Sequence, residues 1–441
     1  MRLAILLYGR LAGHVIRENG NVWMEYEPEY AADPNATPLS LSMPLDQLSH
    51  TRRPVKAFLR GLLPDRPEVR DRWAASFGVR SGDTIGLVAK IGMDVAGGAM
   101  FVPDDQVENA LSQPESIETV TDEQVAEHLR LLRTDQMAWY ASDDEHWSLA
   151  GGQSKFALVK TADGHWGLPR GSAPSTHIVK PGISQIPAQA LIEHLSMRAL
   201  AILGEDVAST EYLRFDDEPA IVVKRFDRIR DASGAIVRVH TEDLTQAHAI
   251  VPERKYESDG GPGVGRIANT LRANAGEAAV IKFAHAIIAN YLLAAPDAHA
   301  KNYSLLLAGR AVELAPLYDV ASGLGGDLET GALRWRKTAM SIGGENRFGE
   351  VTGHQWAKFA AVAGLDSPQI IDDVKEMSAA LPDAFAAAID ELPADTQGID
   401  IAKNRVLPRL VSFAAHTRRQ CDVVDRPGRT KTTFFDALEE R

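Results

Sequence analysis

The stretch AVIKFAHAIIANYLLAA, residues 279–295, constrains the chain more than any other. It reads as a helix that is apolar on nearly every side, and such a helix must be enclosed by other elements. It runs straight into PDAHAKN, residues 296–302, which crowds Asp297, His299, Lys301 and Asn302 into six positions. Groups that resist burial therefore stand at the mouth of a buried helix. With 441 residues the chain is long enough for two or three domains and the cores to enclose it.

Residues 1–115 alternate short strand-like runs (LAILLYG, VWMEYE, PLSLSMPL, AMFVP) with turns, around the helical VKAFLRGLLPDRPEVRDRWAASFG. This predicts a small α/β unit. Residues 116–137 carry helical spacing and a candidate cap at Thr121, and read as a connector. From 147 to 228 strands dominate (WSL, FALVK, THIVK, EYLRF, AIVVKRF), interrupted by the helix QALIEHLSMRALAILG. From about 240 onward helices prevail: GRIANTLRAN, the run after 278, HQWAKFAAVAG, PQIIDDVKEMSAAL, DAFAAAIDEL and VLPRLVSFAAHT. The exception is a hairpin, YSLLLA then AVELAPLYD, residues 303–319. The expected division is 1–115, 116–228 and 229–441.

The hairpin gives the polar heptad a purpose. Asp297 and Asn302 lie on the loop entering it and Asp319 at its exit, and a hairpin returns its ends to one place. Two Asp and an Asn suit a hard cation such as Mg²⁺. The order Asp-x4-Asn, hairpin, Asp resembles protein kinases, where the first Asp is the base and the Asn and second Asp hold metal. On these residues alone an alternative stays open: a helix C-terminus capped by polar side chains, with an unrelated turn Asp. The kinase reading requires a glycine loop and a phosphate-binding Lys upstream. SLAGGQSK, residues 148–155, is expected as a turn between the strands WSL and FALVK. Lys180 is preferred to Lys160 because it lies one strand beyond that turn, and Lys160 becomes a solvated strand end. Glu193, on the next helix, is the candidate partner of Lys180; its alternative is a surface Glu at a helix start. IVVKRFDR stands where a hinge to adenine belongs, with Arg225 and Arg228 as structural ion pairs. KYESDGGPGVGRI, residues 255–267, imitates a dinucleotide loop but lacks the preceding strand, and reads as a loop and helix start. His285 reads as a core histidine, and His299 follows the base and can orient it.

Taken in order, SLAGGQSK, STHIVKPG, VVKRFDR, KYESDGGPG, DAHAKN and LAPLYDV resemble the HipA family, kinase toxins of HipBA-type toxin–antitoxin systems. LLPDRPEVRDRW and IGMDVAGGAMFVP resemble its N-terminal domain. The resemblance implies an α+β, protein-kinase-like two-lobed fold: an N-terminal α/β subdomain, a β-rich N-lobe and a mainly helical C-terminal lobe. It implies a serine/threonine kinase using ATP and Mg²⁺, with an aminoacyl-tRNA synthetase as substrate and growth arrest as outcome. By motif, Asp297, Asn302 and Asp319 are catalytic, Asn302 and Asp319 holding Mg²⁺. The ATP contacts are Ala150, Gly151, Gly152, Gln153, Ser154, Lys155, Lys180, Lys224, Phe226, His299 and Lys301, the hinge pair through backbone. Ser148 matches the self-phosphorylated, inactivating serine, where a phosphate would repel those of ATP. Departures from the family pattern are Ala298 for a Gly, Ser154 and Lys224 for acidic residues, and a short PGISQIPAQA segment.

The implied partner is a HipB-like helix-turn-helix antitoxin, with DNA reached only through it. A net charge of −13 argues against a broad nucleic-acid surface on this chain. The single Cys421 excludes an internal disulfide and a multi-cysteine metal site, which with the short apolar start leads to the expectation of a cytoplasmic protein with no membrane span. Two other readings are a non-catalytic co-repressor and a small-molecule kinase.

Overall fold

The computed structural model describes residues 1–112, 115–135, 137–139, 148–326, 336–424 and 434. The chain forms two compact units: Met1–Pro181 with Leu213–Lys255 and Ser304–Ala315, and Gly182–Tyr212 with Tyr256–Tyr303 and Pro316–Arg441. Their boundaries cut across the expected division along the chain. The chain leaves the first unit and returns to it twice.

The first unit holds two large sheets. In one, β1 (Arg2–Leu7), β2 (Arg10–Glu18), β3 (Asn21–Tyr26), β4 (Ser49–His50) and β5 (Ala99–Pro103) lie in the order β4-β3-β2-β1-β5. Alternation puts Leu3, Ile5 and Leu7 on the face covered by Val55, Phe58 and Leu59 of helix Arg52–Gly61. PLSLSMPL is not a strand, although its apolar residues alternate. Pro38 and Pro44 cannot donate to a ladder, and the segment forms a turn closed by a Ser40–Met43 bridge. The Tyr26 hydroxyl holds it, donating to the Met43 carbonyl at 2.6 Å and accepting from Leu39 N at 2.8 Å.

The other sheet takes β6 (Ser116–Val120), β7 (Phe156–Lys160), β8 (Trp166–Arg170), β9 (His177–Lys180), β10 (Thr210–Phe215) and β11 (Glu218–Lys224), in the order β10-β11-β9-β7-β8-β6. The connector is thus half strand: SIETV pairs with β8, and only then does helix Asp122–Thr134 begin. Thr121 caps that helix in a reciprocal box with Gln124. One core runs through both sheets, from Leu3, Phe58 and Trp73 to Phe156, Val179 and Val222. The short β12 (Arg228–Arg230) and β13 (Ile236–Arg238) form a hairpin. A last sheet pairs β14 (His240–Asp243) with β15 (Ser304–Ala308) and β16 (Ala311–Leu314). The expected hairpin is present, and it belongs to the first unit because β15 finds its other partner in β14.

Among its described residues the second unit is mainly helical and also holds the small pair β17 (Lys337–Ile342) and β18 (Glu345–Arg347). Most of helix Glu277–Leu292 is buried, Phe283, Ile288 and Tyr291 included, while Ile281 stays exposed along one side. The Tyr291 ring meets Trp356 and Phe413 at 5.5 Å and Phe348 at 5.7 Å. PQIIDDVKEMSAAL and DAFAAAIDEL form one helix, Ser367–Asp390, which continues through Pro382. A proline leaves the carbonyl four residues earlier without its helical donor. Here that carbonyl is Ser378's, and Arg418 Nη1 donates to it at 2.9 Å.

Candidate active site

In the second unit, the end of helix Glu277–Leu292 explains the polar heptad. Ala294 turns left-handed at φ 48, and Ala295 N donates to Asn290 O at 2.9 Å. Ser322 Oγ and Gly323 N both donate to Leu293 O, at 2.8 and 3.2 Å. The helix carbonyls are therefore capped without the side chains of Asp297 or Asn302, which leaves those side chains for another task.

Asp297 follows at once, its side chain 59% exposed, while His299, Lys301 and Asn302 are buried around it. The Asp297 carbonyl accepts from His299 N at 2.9 Å and from Asn302 Nδ2 at 2.7 Å. The Asn302 amide nitrogen is thereby committed, so its acceptor oxygen is the end left for a cation. Asp319 is half-buried and stands at φ 60, in the left-handed region that Asp tolerates better than most residues. Its neighbour Tyr318 donates to Lys301 O at 2.9 Å, and Leu317 makes a parallel bridge to Val207. The chain neighbours of Asn302 and Asp319 are thus tied together. Among the described residues no group of three or more His, Cys, Asp and Glu is placed to hold a metal ion. An Asn and an Asp beside water and phosphate oxygens are the kind of donor set Mg²⁺ accepts.

Glu193 is buried, not a surface residue, and Gln189 Nε2 donates to it at 3.2 Å. His285 is not a core residue: its side chain is 31% exposed, with Nδ1 at 3.2 Å from Glu205 and Nε2 at 3.5 Å from Asp373. The Glu205 hydrogen bond pushes its pKa above the usual histidine value.

In the first unit, the glycine loop differs from expectation. Trp147 lies outside the described residues, and Ser148–Ala150 form no strand. The loop instead leans on the segment Leu62–Asp65. Gly151 makes a parallel bridge to Pro64, and Asp65 N donates to Gly151 O at 2.9 Å. Ser148 is fully buried; its N donates to Asp94 O at 2.9 Å and its Oγ to Leu62 O at 2.7 Å. Gly151 stands at φ 109, and a Cβ there would come within 2.7 Å of Lys155 Nζ. That ammonium donates to Ala150 O at 2.8 Å, folding the loop onto its own lysine. Among the described residues, and its chain neighbours aside, nothing lies within 4 Å of a Cβ at Gly152. Lys180 is buried at the end of β9, opposite Ile221, whereas Lys160 lies over the Trp166 ring at 5.0 Å.

The hinge stretch is half exposed and half locked. Lys224 is exposed and Phe226 half-buried, while Arg225 and Arg228 are buried ion-pair residues as expected. Arg225 meets Asp227 at 2.9 Å and Asp94 at 3.4 Å; Arg228 meets Asp94 at 2.8 Å and Asp227 at 3.0 Å. Burial raises the Asp94 carboxyl, but Arg228, Arg225 and Arg238 more than offset this and hold it below the usual range. Sequence reasoning missed Asp94, and it missed Tyr256, whose hydroxyl donates to Asp297 Oδ1.

Comparison with known proteins now bears on these elements. The model of the HipA-like C-terminal domain matches residues 147–385, and that of the HipA N-terminal domain matches residues 3–102. The chain belongs to the HipA family. Y4mE of Sinorhizobium fredii is 34% identical over 404 residues, covering 90% of this chain and 93% of that one. The serine/threonine-protein kinase toxin HipA of Shewanella oneidensis is 29% identical over 377 residues, covering 81% and 82%. A solved structure of the Shewanella oneidensis HipA, HipB and operator DNA complex matches with a TM-score of 0.81 at 25% identity, over 96% of this chain and 99% of that one. The fold is thus the α+β, kinase-like fold of HipA, as the ordered motifs predict. Among the described residues of this HipA-family chain no helix is long and apolar enough to cross a membrane.

Proposed function

We propose that the chain is an ATP- and Mg²⁺-dependent serine/threonine protein kinase, the toxin of a toxin–antitoxin module. The observation that carries the reading is the frame around Asp297. An exposed carboxylate follows a buried helix whose end is capped by other groups, and Asn302 is bonded to its carbonyl. Asp297 takes the proton of the acceptor hydroxyl. Asn302 and Asp319 hold Mg²⁺, which supplies charge neutralisation for the transferred phosphoryl group. Lys180, with Glu193 as its partner, and the loop Ala150–Lys155 bind phosphates; Lys224 and Phe226 offer backbone groups to adenine; His299 and Lys301 complete the nucleotide contacts. The substrate class is an aminoacyl-tRNA synthetase, whose modification arrests translation and growth in the cytoplasm. The partner is a HipB-like antitoxin, which reaches DNA on the chain's behalf; the operator complex of the Shewanella relative supports this. Ser148 is the self-phosphorylation site. Because it is bonded to Leu62 O and buried, its modification requires that segment to leave its seat.

The test is intact mass spectrometry after incubation with ATP and Mg²⁺, with Asp297→Asn beside the unaltered chain. The expected result is one phosphate, mapped to Ser148, on the unaltered chain and none on the variant. A variant phosphorylated at the same rate would remove Asp297 from the reaction.

A further inference from the structure

The glycine-rich stretch after Lys255 was not absorbed by the kinase motifs, yet it places a side chain on the proposed base. Tyr256 Oη donates to Asp297 Oδ1. The His299 ring, buried, has Nε2 at 3.6 Å from that same oxygen, and the Tyr256 and His299 rings meet edge to face at 4.9 Å. Among the described residues no hydrogen bond reaches Asp297 Oδ2, and the Tyr256 hydroxyl is bonded to Oδ1. One carboxylate oxygen takes the Tyr256 hydrogen bond, with the His299 ring packed beside it, and the other belongs to a side chain that is 59% exposed.

The stretch is built to hold Tyr256 there. Glu257 Oε2 accepts from Ser341 N at 2.5 Å, tying the loop to β17. Gly261 N donates back to Tyr256 O at 2.8 Å, and Gly260 takes a left-handed φ of 91. A Cβ on Gly263 would lie 2.3 Å from Glu257 Oε1, so only glycine lets Glu257 reach its seat. Of the glycines that imitate a nucleotide loop, Gly263 thus serves the seating of Glu257, the residue next to Tyr256.

We propose that Tyr256 is a positioning residue for Asp297: it fixes Oδ1, so that Oδ2 is the oxygen that takes the acceptor's proton. This rests on the kinase reading above. As the serine or threonine oxygen bonds to the γ-phosphorus of ATP, the bond from that phosphorus to the β-phosphate oxygen breaks and ADP leaves. The hydroxyl proton passes to Oδ2 and then to water. An exposed aspartate free to rotate would spend much of its time in unproductive rotamers, and an orienting hydrogen bond removes that loss.

The test follows self-phosphorylation of the full-length chain by intact mass at a series of ATP concentrations, for the unaltered chain, Tyr256→Phe, Gly263→Ala and Asp297→Asn. Tyr256→Phe is expected to lower the limiting rate about tenfold, the equivalent of one hydrogen bond to a charged group, with the half-saturating ATP concentration and the Tm unchanged. Gly263→Ala, which keeps the hydroxyl but displaces Glu257, is expected to lower the limiting rate too. A Tyr256→Phe chain at full rate beside an inert Asp297→Asn overturns the positioning role and leaves the kinase reading intact. A raised half-saturating concentration at unchanged limiting rate overturns it as well, because Tyr256 would then be a nucleotide contact. A rate loss accompanied by an equal loss of folded protein overturns it as a structural effect. An active Asp297→Asn overturns the kinase reading itself.

Discussion

Replacing Asp94 with Asn should destabilise the first unit severely. Asp94 is buried at 3% exposure, with Arg228 at 2.8 Å, Arg225 at 3.4 Å and Arg238 at 3.7 Å. Its Oδ2 also accepts from Ser175 N and Oγ, at 3.0 and 2.6 Å. The cluster holds three guanidinium groups against the carboxylates of Asp94 and Asp227, a net charge of 3 − 2 = +1. Asn at 94 leaves 3 − 1 = +2 and turns an amide nitrogen toward an arginine or toward the Ser175 N–H. Removing one partner from a buried ion pair costs about 3–5 kcal/mol. For a unit of this size that is a Tm loss of roughly 6–20 °C. Thermal and urea unfolding measure it. Arg238→Met in the Asp94→Asn background restores the net charge to +1 and should recover more than about 1 kcal/mol. The sign with pH follows from the depressed Asp94 carboxyl: its contribution is present above the unfolded value near 4 and is lost as pH falls. The gap between the unaltered chain and Asp94→Asn should therefore shrink in acid. A loss below about 1 kcal/mol at neutral pH, or a gap that widens in acid, refutes the reasoning.

Two further outcomes are expected. Ser148→Ala deletes the hydrogen bond to Leu62 O and should cost about 1 kcal/mol in urea unfolding, while preincubation with ATP should no longer silence the chain; continued silencing counts against Ser148 as the acceptor. Glu242 is buried, and burial pushes its carboxyl up to about 8 despite hydrogen bonds from Leu41 N and Ser40 Oγ. A raised acid stabilises folding below its unfolded pKa and loses that contribution as pH rises toward 8, so Glu242→Gln should gain stability relative to the unaltered chain between pH 5 and 9. Parallel urea midpoints across that range would contradict it.

What the sequence made legible was local or ordered along the chain. The Thr121 capping box needs three residues of context, and the hairpin needs its own alternation; both are present in the structure, the hairpin over Ser304–Leu314 and so short of Asp319. Alternation failed at PLSLSMPL because two prolines forbid a ladder there, and Pro382 misled because the donor that rescues Ser378 O comes from Arg418 on another helix. The glycine loop lacks the strand expected at Ser148–Leu149 for a related reason. Its neighbour across Gly151 is Pro64, far back in the chain, and no turn chemistry near residue 150 announces that partner. The same distance hides the anchoring of Asp297. The residues with chemistry stand in one heptad, but the hydroxyl on the carboxylate comes from Tyr256, 41 positions earlier. One local signal was present. A run of glycines with no strand before it had no nucleotide to serve, yet glycine without a ligand still implies a close approach. At Gly263 the approaching atom is Glu257 Oε1, from the residue beside Tyr256. A glycine motif that fails as a binding loop is therefore a reason to ask which side chain the missing Cβ makes room for, and where that side chain's neighbour points.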